Sequence, residues 1–275
     1  MASASIRRAA AAGFFYPDDP RVLHTQVAEM LALALPPEPG GAPKALVVPH
    51  AGYLYSGPVA ASAYALLERI RHQISRVVVI GPAHRMAVRG FALAAAQAFA
   101  TPLGEVPVSR RDWQALQARP DVVVDDAPHA DEHCLEVQLP FLQSVLDKFE
   151  IVPILVGGAP ADAVVEVLEA LWGGEETLIV ISSDLSHYTP YEYARLADRA
   201  TIGQILKGAP PLMREQACGA AALNGMMLLA ARRGLEPQLL DLRNSGDTAG
   251  DRNSVVGYSS LAFSEPALHA GNLAH

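Results

Sequence analysis

The sequence predicts a layered α/β fold with central parallel strands. Four short runs are apolar on every residue, as expected for strands that are covered on both faces; they span 45–48, 77–80, 151–156 and 178–181. Helical patterns separate these runs, and alternation of this kind favours a layered sheet. The 275 residues are 51% hydrophobic and 18% charged, so the chain can bury a large core and is not mainly disordered.

The remaining elements follow in chain order. Helical patterns cover 21–35, 58–72, 135–148, 161–172 and 191–207. Further strands are expected at 89–95, 122–124, 238–242 and 254–263, the last at or near an edge of the sheet. The Pro- and Gly-rich stretch 36–43 is short enough to join the first helix to the first strand. No repeat or long linker interrupts the chain, so we expect one domain over 1–275.

Composition excludes several classes of function. With 29 acidic and 21 basic residues the formal charge is -8, which does not suit nucleic acid or anionic membranes as partners. The two cysteines, Cys134 and Cys218, are too few for a disulfide scaffold and are expected to be thiols in a reducing compartment. The glycine-rich phosphate-binding motifs of P-loop and dinucleotide-binding proteins do not occur.

We expect a cytoplasmic protein that does not enter a membrane. Arg7 and Arg8 precede a short alanine-rich apolar run, but Tyr-Pro-Asp-Asp at 16–19 follows where a signal peptide would have a small-residue cleavage site. The longest apolar segments, near 27–35 and 220–231, fall short of the roughly 18 residues that a transmembrane helix needs.

Histidines follow three of the apolar runs. His50 and His84 come shortly after the first two, and Asp184 and His187 come after the run at 178–181. A single histidine at a strand end is usually a hydrogen-bonded structural residue. Because ligands bind beyond the carboxyl ends of parallel strands, three such histidines predict a shared site.

A metal site is the simplest interpretation of these histidines, since neutral imidazole is a common ligand for Zn, Cu, Fe and Ni. The candidate anionic ligands are Asp184, Glu132, Glu136 and Cys218. The carboxylates are alternatively acceptors that orient a ligating histidine. Cys218 is alternatively a buried structural thiol.

The segment His129-Ala-Asp-Glu-His133 matches the His-x-x-Glu-His pattern of inverted zinc peptidases. On a helix the two histidines would share one face. However, Pro128 and the two aspartates at 125–126 indicate that a loop leads into a helix near His133, so the peptidase remains a minor alternative.

Several longer motifs together resemble the MEMO family, whose microbial members are called AmmeMemoRadiSam system protein B. The motifs are Val48-Pro-His-Ala-Gly-Tyr-Leu-Tyr-Ser56, Gly81-Pro-Ala-His84, Asp131-Glu-His-Cys134, Ser182-Ser-Asp-Leu-Ser-His187 and Asn244-Ser-Gly-Asp247. The resemblance runs from about residue 13 to 259. It implies a three-layer α/β/α architecture with a mostly parallel central sheet, similar to that of class III extradiol ring-cleaving dioxygenases.

The resemblance also implies roles for individual residues. The family's metal ligands fall on His50, His84 and Cys218, and pocket residues that would serve catalysis fall on Asp184, His187 and His133. Fe(II) is the expected metal, with Zn or Cu as alternatives. A thiolate in place of the dioxygenase carboxylate means that ring cleavage cannot simply be transferred. The usual serine after the Glu-His pair is Cys134 here, which suggests extra metal affinity or sensitivity to oxidation.

The sequence therefore leaves two alternative functions. The first is oxygen-dependent or redox chemistry on an unidentified small molecule, in a system with AMMECR-type and radical SAM partner proteins. The second is a non-catalytic scaffold or peptide-binding protein of the signalling type that uses the same pocket. The substrate does not follow from the sequence.

Overall fold

The computed structural model describes residues 5–36, 41–111, 113–209 and 211–266. Eight strands form the main sheet: β2 (Pro43–Val48), β3 (Arg76–Pro82), β4 (Phe91–Leu93), β7 (Val122–Val124), β8 (Glu150–Val156), β9 (Thr177–Ser182), β10 (Glu236–Asn244) and β11 (Gly257–Ser264). A second sheet contains β1 (Ile6–Arg7), β5 (Ala98–Thr101) and β6 (Gly104–Pro107). Its three short strands carry no clear apolar alternation, and the sequence did not predict it.

The main sheet has the order β10-β11-β2-β9-β3-β8-β4-β7. Its centre consists of β2, β9, β3 and β8, which pair in parallel. These are the four apolar runs predicted from the sequence, and nearly all their side chains are buried. Strand β11 pairs antiparallel with β2 and β10, so it lies next to the edge strand. The α/β prediction with a mostly parallel sheet is confirmed.

Eight helices accompany these strands in the described residues. They are α1 (Pro20–Leu33), α2 (Tyr53–Tyr64), α3 (Trp113–Gln117), α4 (Ala127–Ala130), α5 (Leu139–Val145), α6 (Ala161–Ala170), α7 (Tyr191–Leu206) and α8 (Ala220–Arg233). None of the helices in this part of the chain is long and apolar enough to cross a membrane.

The helices cover the sheet as two groups. Helices α1, α2 and α5 contact one another, with α2 against β2, β10 and β11, while α6 packs on α8 and α8 on β3. Successive residues of an extended strand point to opposite faces. Accordingly, the Ser182 hydroxyl contacts Gln138, which directly precedes α5, and the Ser183 hydroxyl accepts from Gly219 N at the start of α8.

Several boundaries differ from the prediction. Helix α2 begins at Tyr53 and contains Pro58 in its interior, and the predicted span 58–72 continues only as a 3₁₀ turn, Ala65–Ile70. The predicted helix 135–148 is a 3₁₀ turn followed by α5 with Pro140 in its first turn. Proline is common at a helix start, which is why the sequence pattern placed the start of α2 too late. Residues 37–40 of the predicted connector lie outside the described residues.

Candidate metal centre

Three histidines meet at the carboxyl edge of the central strands. His50 follows β2, His84 follows β3, and His133 precedes the turn that leads into α5. One ring nitrogen from each lies within 4.8 Å of those of the other two. The ring centroid of His50 is 5.1 Å from that of His84 and 5.5 Å from that of His133. Since β2 and β3 both pair with β9, the sheet order brings the first two together.

His50 is held in one tautomer by its neighbours. Its Nδ1 lies 2.8 Å from the Ser182 hydroxyl. That hydroxyl donates its proton to the carbonyl oxygen of Cys134 and accepts from Gln138 Nε2, so it can only accept from His50. Nδ1 therefore carries the proton, and Nε2 presents a lone pair. Burial, with the nearby His84 and His133, lowers the pKa of His50 well below its usual value, which keeps the ring neutral at pH 7.

Cys218 and Asp184 also contact His50. Cys218 Sγ is 3.2 Å from His50 Nε2 and accepts from Asp184 N at 3.3 Å. The Asp184 carboxylate accepts from His50 N at 2.8 Å, and its second oxygen is 3.9 Å from His50 Nε2. Burial, followed by the charge of Asp184, raises the pKa of the Cys218 thiol to about 12. A bound cation would favour the thiolate.

Glu132 contacts the other two histidines. Its side chain is almost completely buried, and its oxygens lie 3.0 Å from His84 Nδ1 and 3.2 Å from His133 Nδ1. Burial alone would oppose ionisation, but the interactions of the carboxylate with His133 and His84 outweigh it and hold the pKa of Glu132 well below its usual range. The carboxylate is thus occupied by these contacts and acts as an acceptor beside the histidines.

His187 stands apart from the three-histidine group. Its Nδ1 lies 2.8 Å from the carbonyl oxygen of Leu185. Because a carbonyl oxygen can only accept, this nitrogen carries a proton and donates it to Leu185. Together with His84 and Cys218 it lines an open cavity of about 680 Å³. The exposed rings of Tyr188 and Tyr193 also face this cavity. Small-molecule sites commonly have volumes of this order.

The candidate ligand Glu136 has a different role. It forms a buried ion pair with Arg7 and accepts from Ala10 N, Ala11 N and the Tyr16 hydroxyl. These bonds fasten the N-terminal segment to the loop before α5. As a result, Phe15 stacks on the ring of His133 with centroids 4.3 Å apart. Nothing in the sequence pattern had linked residues 7–16 to the site.

The structure contradicts the peptidase interpretation. Helix α4 ends at Ala130, so His129 and His133 do not share a helical face. His129 is buried elsewhere, with Nε2 bonded to the Ala92 carbonyl oxygen at 3.1 Å and its ring against Phe99.

Cys134 and Cys218 are both free thiols, as the sequence predicted. Cys134 is completely buried and donates to the carbonyl oxygen of Pro82 at 3.1 Å. Its sulfur belongs to a second compact group with His84 and Glu132. Burial raises the pKa of Cys134 well above its usual value, so its thiol is protonated in the surroundings described here.

The donor set fits a metal that binds nitrogen and sulfur. Zn–N bonds are about 2.0–2.1 Å long and Zn–S bonds about 2.3 Å, so ligands of one tetrahedral ion lie roughly 3.3–3.6 Å apart. The spacing of Cys218 Sγ and His50 Nε2, 3.2 Å, is close to this range. Three imidazoles that lie close together, with a thiol beside one of them, offer the kinds of ligand that Zn, Fe and Cu bind.

Comparison with known proteins identifies the family of this chain. A family model described as Memo-like protein matches residues 7–262. A MEMO1 family protein of Metallosphaera sedula is 33% identical over 94% of this chain and 99% of its own length. Those of Sulfolobus acidocaldarius and Archaeoglobus fulgidus are 34% and 35% identical, again over 94% of this chain. The chain therefore belongs to the Memo-like protein family.

Proposed function

We propose that this protein is a non-haem metalloprotein that carries out oxygen-dependent or redox chemistry on a small molecule. The observation that supports it best is the meeting of His50, His84 and His133, with the sulfur of Cys218 3.2 Å from His50. His50, His84 and Cys218 would hold the metal, with Fe(II) as the proposed ion and Zn or Cu as alternatives. When bound, Fe(II) or Cu would supply Lewis acidity and redox capacity, and Zn would supply Lewis acidity alone.

The chain's own residues would perform the remaining tasks. The cavity beside Cys218 is large enough to receive a small molecule, and His187 lines it with Nε2 free of a partner in the described contacts. His187 would therefore move a proton to or from the substrate. The Asp184 carboxylate would hold His50 in place by accepting a hydrogen bond from the backbone N–H of His50. AMMECR-type and radical SAM proteins are the proposed partners.

Metal analysis of protein purified without chelator tests the assignment. We expect close to one metal ion per chain, and strong loss in each of the variants His50→Ala, His84→Ala and Cys218→Ala. His72→Ala is the matched control and should retain the metal, because His72 is exposed and precedes β3, at the end of that strand opposite His84. Undiminished metal in all three site variants would overturn the proposal. Oxygen uptake with a panel of small phenolic molecules then tests for catalysis.

A further inference from the structure

Glu132 links the two loops that carry His84 and His133. One carboxylate oxygen accepts from His84 N at 2.6 Å and Arg85 N at 3.3 Å. The other accepts from His133 N at 3.0 Å and Cys134 N at 3.2 Å. The backbone carbonyl of Glu132 in turn accepts from Arg7 at 2.6 Å. A single buried side chain thus fixes the backbone on both sides of the histidine group.

The same carboxylate also faces both imidazole rings. Oε1 lies 3.0 Å from His84 Nδ1 and 3.2 Å from His133 Nδ1. An ionised carboxylate can only accept hydrogen bonds. In a neutral histidine next to it, the proton therefore sits on Nδ1, and Nε2 keeps its lone pair. The contact with His84 Nδ1 is a hydrogen bond. His133 Nδ1 is buried without a hydrogen-bond partner among the described residues, so the carboxylate oxygen 3.2 Å away acts on it as a nearby negative charge that favours a proton at that nitrogen. The two rings stack with an interplanar angle of 23°.

We propose that Glu132 is a positioning residue that sets the Nδ1–H tautomer of His84 and of His133, and that it thereby makes His133 as well as His84 a metal ligand through Nε2. This inference rests on the proposed metal-binding function. Ser182 sets the same tautomer in His50, so all three rings present the same nitrogen. The site would hold three imidazoles and one thiolate, and His133 would not be the acid or base that the sequence suggested.

Tautomers can be measured without any metal. Metal-free protein with ¹⁵N-labelled histidine is placed at about pH 8, where imidazoles are neutral, and long-range ¹H–¹⁵N correlation spectra identify the protonated nitrogen. The variants His84→Asn and His133→Asn assign the signals. We expect protonated Nδ1 and unprotonated Nε2 for both residues. The Nε2–H tautomer at either residue would overturn the proposal, whether or not the protein binds metal.

Variants of Glu132 then test its effect on the metal. Glu132→Gln keeps the size of the side chain but directs an amide N–H₂ at one of the two sets of donors. Loss of such an orienting acceptor typically costs about 10–100-fold in metal affinity, and we expect a loss in this range for Zn²⁺ measured by competition with a chromophoric chelator. Glu132→Asp keeps the charge and should recover part of the affinity.

Asp198→Asn provides the matched control. Asp198 is also a buried carboxylate, and it accepts from Ser186 N at 3.1 Å without contacting the three histidines. This variant should keep the Zn²⁺ affinity and the tautomers of the parent. Equal affinity in folded Glu132→Gln and parent would contradict the proposal. If Glu132→Gln does not fold, the tautomers of the parent protein still decide it. Absence of metal binding by the parent would instead refute the proposed function.

Discussion

Cys218 Sγ lies 3.2 Å from His50 Nε2, although 168 residues separate them in the chain. Two further contacts fix this approach. Asp184 N donates to the sulfur, and the Asp184 carboxylate accepts from His50 N, so the loop after β9 holds both residues. The thiol and the imidazole are therefore arranged before any ion arrives, which lowers the cost of ordering ligands around it.

His187→Ala should retain the metal and lose turnover. His187 Nδ1 is tied to the Leu185 carbonyl, and its ring lies outside the three-histidine group among the described residues. Metal content relative to the parent is the first measurement, and turnover on any substrate found by oxygen uptake is the second. A loss of metal as large as that in His50→Ala would show that His187 is itself a ligand.

Phe15→Ala should weaken the site from outside the metal-binding group. The Phe15 ring is half-buried and stacks on His133, so its removal should lower the free energy of unfolding by about 2 kcal/mol. Metal affinity should fall as His133 gains freedom. The neighbouring Phe14 is 88% exposed, so Phe14→Ala should change neither quantity. Equal effects of the two substitutions, measured by chemical denaturation and Zn²⁺ competition, would contradict this role for Phe15.

Acidification should destabilise the protein through His129. Burial lowers the pKa of His129 from 6.5 to about 4. Between these values the unfolded chain binds a proton that the folded chain does not, so stability falls as the pH drops from 6.5 to 4. The full contribution is about 3 kcal/mol, present above pH 6.5.

His129→Gln isolates this contribution. Glutamine can still donate to the Ala92 carbonyl that His129 contacts, but it does not titrate. Denaturation at a series of pH values should give a smaller decrease in unfolding free energy for the variant than for the parent. His50, whose pKa is also lowered, remains in both proteins and is therefore cancelled by the comparison. If the unfolding free energy of the two proteins had the same pH dependence, His129 would not be the source of the acid destabilisation.

Catechols should be cleaved slowly or not at all when Fe(II) is restored under anaerobic conditions and air is then admitted. The proposed third ligand is the thiolate of Cys218, which donates more electron density than a carboxylate and is itself oxidisable. Cys218→Glu would supply a carboxylate, and Cys218→Ser controls for simple loss of the thiol. Rapid formation of the yellow semialdehyde by the unmodified protein would make ordinary ring cleavage the leading function.

The sequence by itself determined the central sheet and the edge at which the site lies. Runs that are apolar on every residue can only be strands or helices buried on all sides, and their short length selected strands. Because parallel strands end at a common edge, His50, His84 and His187 were expected to meet from their positions just after those runs. The first two do meet, whereas His187 lies outside the three-histidine group and lines the adjoining cavity with His84. These features depend on local patterns, which the chain displays without reference to its fold.

Only the tertiary structure decided which neighbouring groups complete the site. His129 and His133 belong to one five-residue motif, yet one packs against Phe99 and the other joins His50 and His84. Glu132 and Glu136 were equal candidates, but Glu136 is paired with Arg7 and Glu132 faces two imidazoles. Such outcomes depend on contacts between residues that are distant in the chain, such as His84 with Glu132, 48 positions apart, and Arg7 with Glu136, 129 positions apart. Their burial and hydrogen bonding are properties of the packed chain and leave no periodic pattern in the sequence.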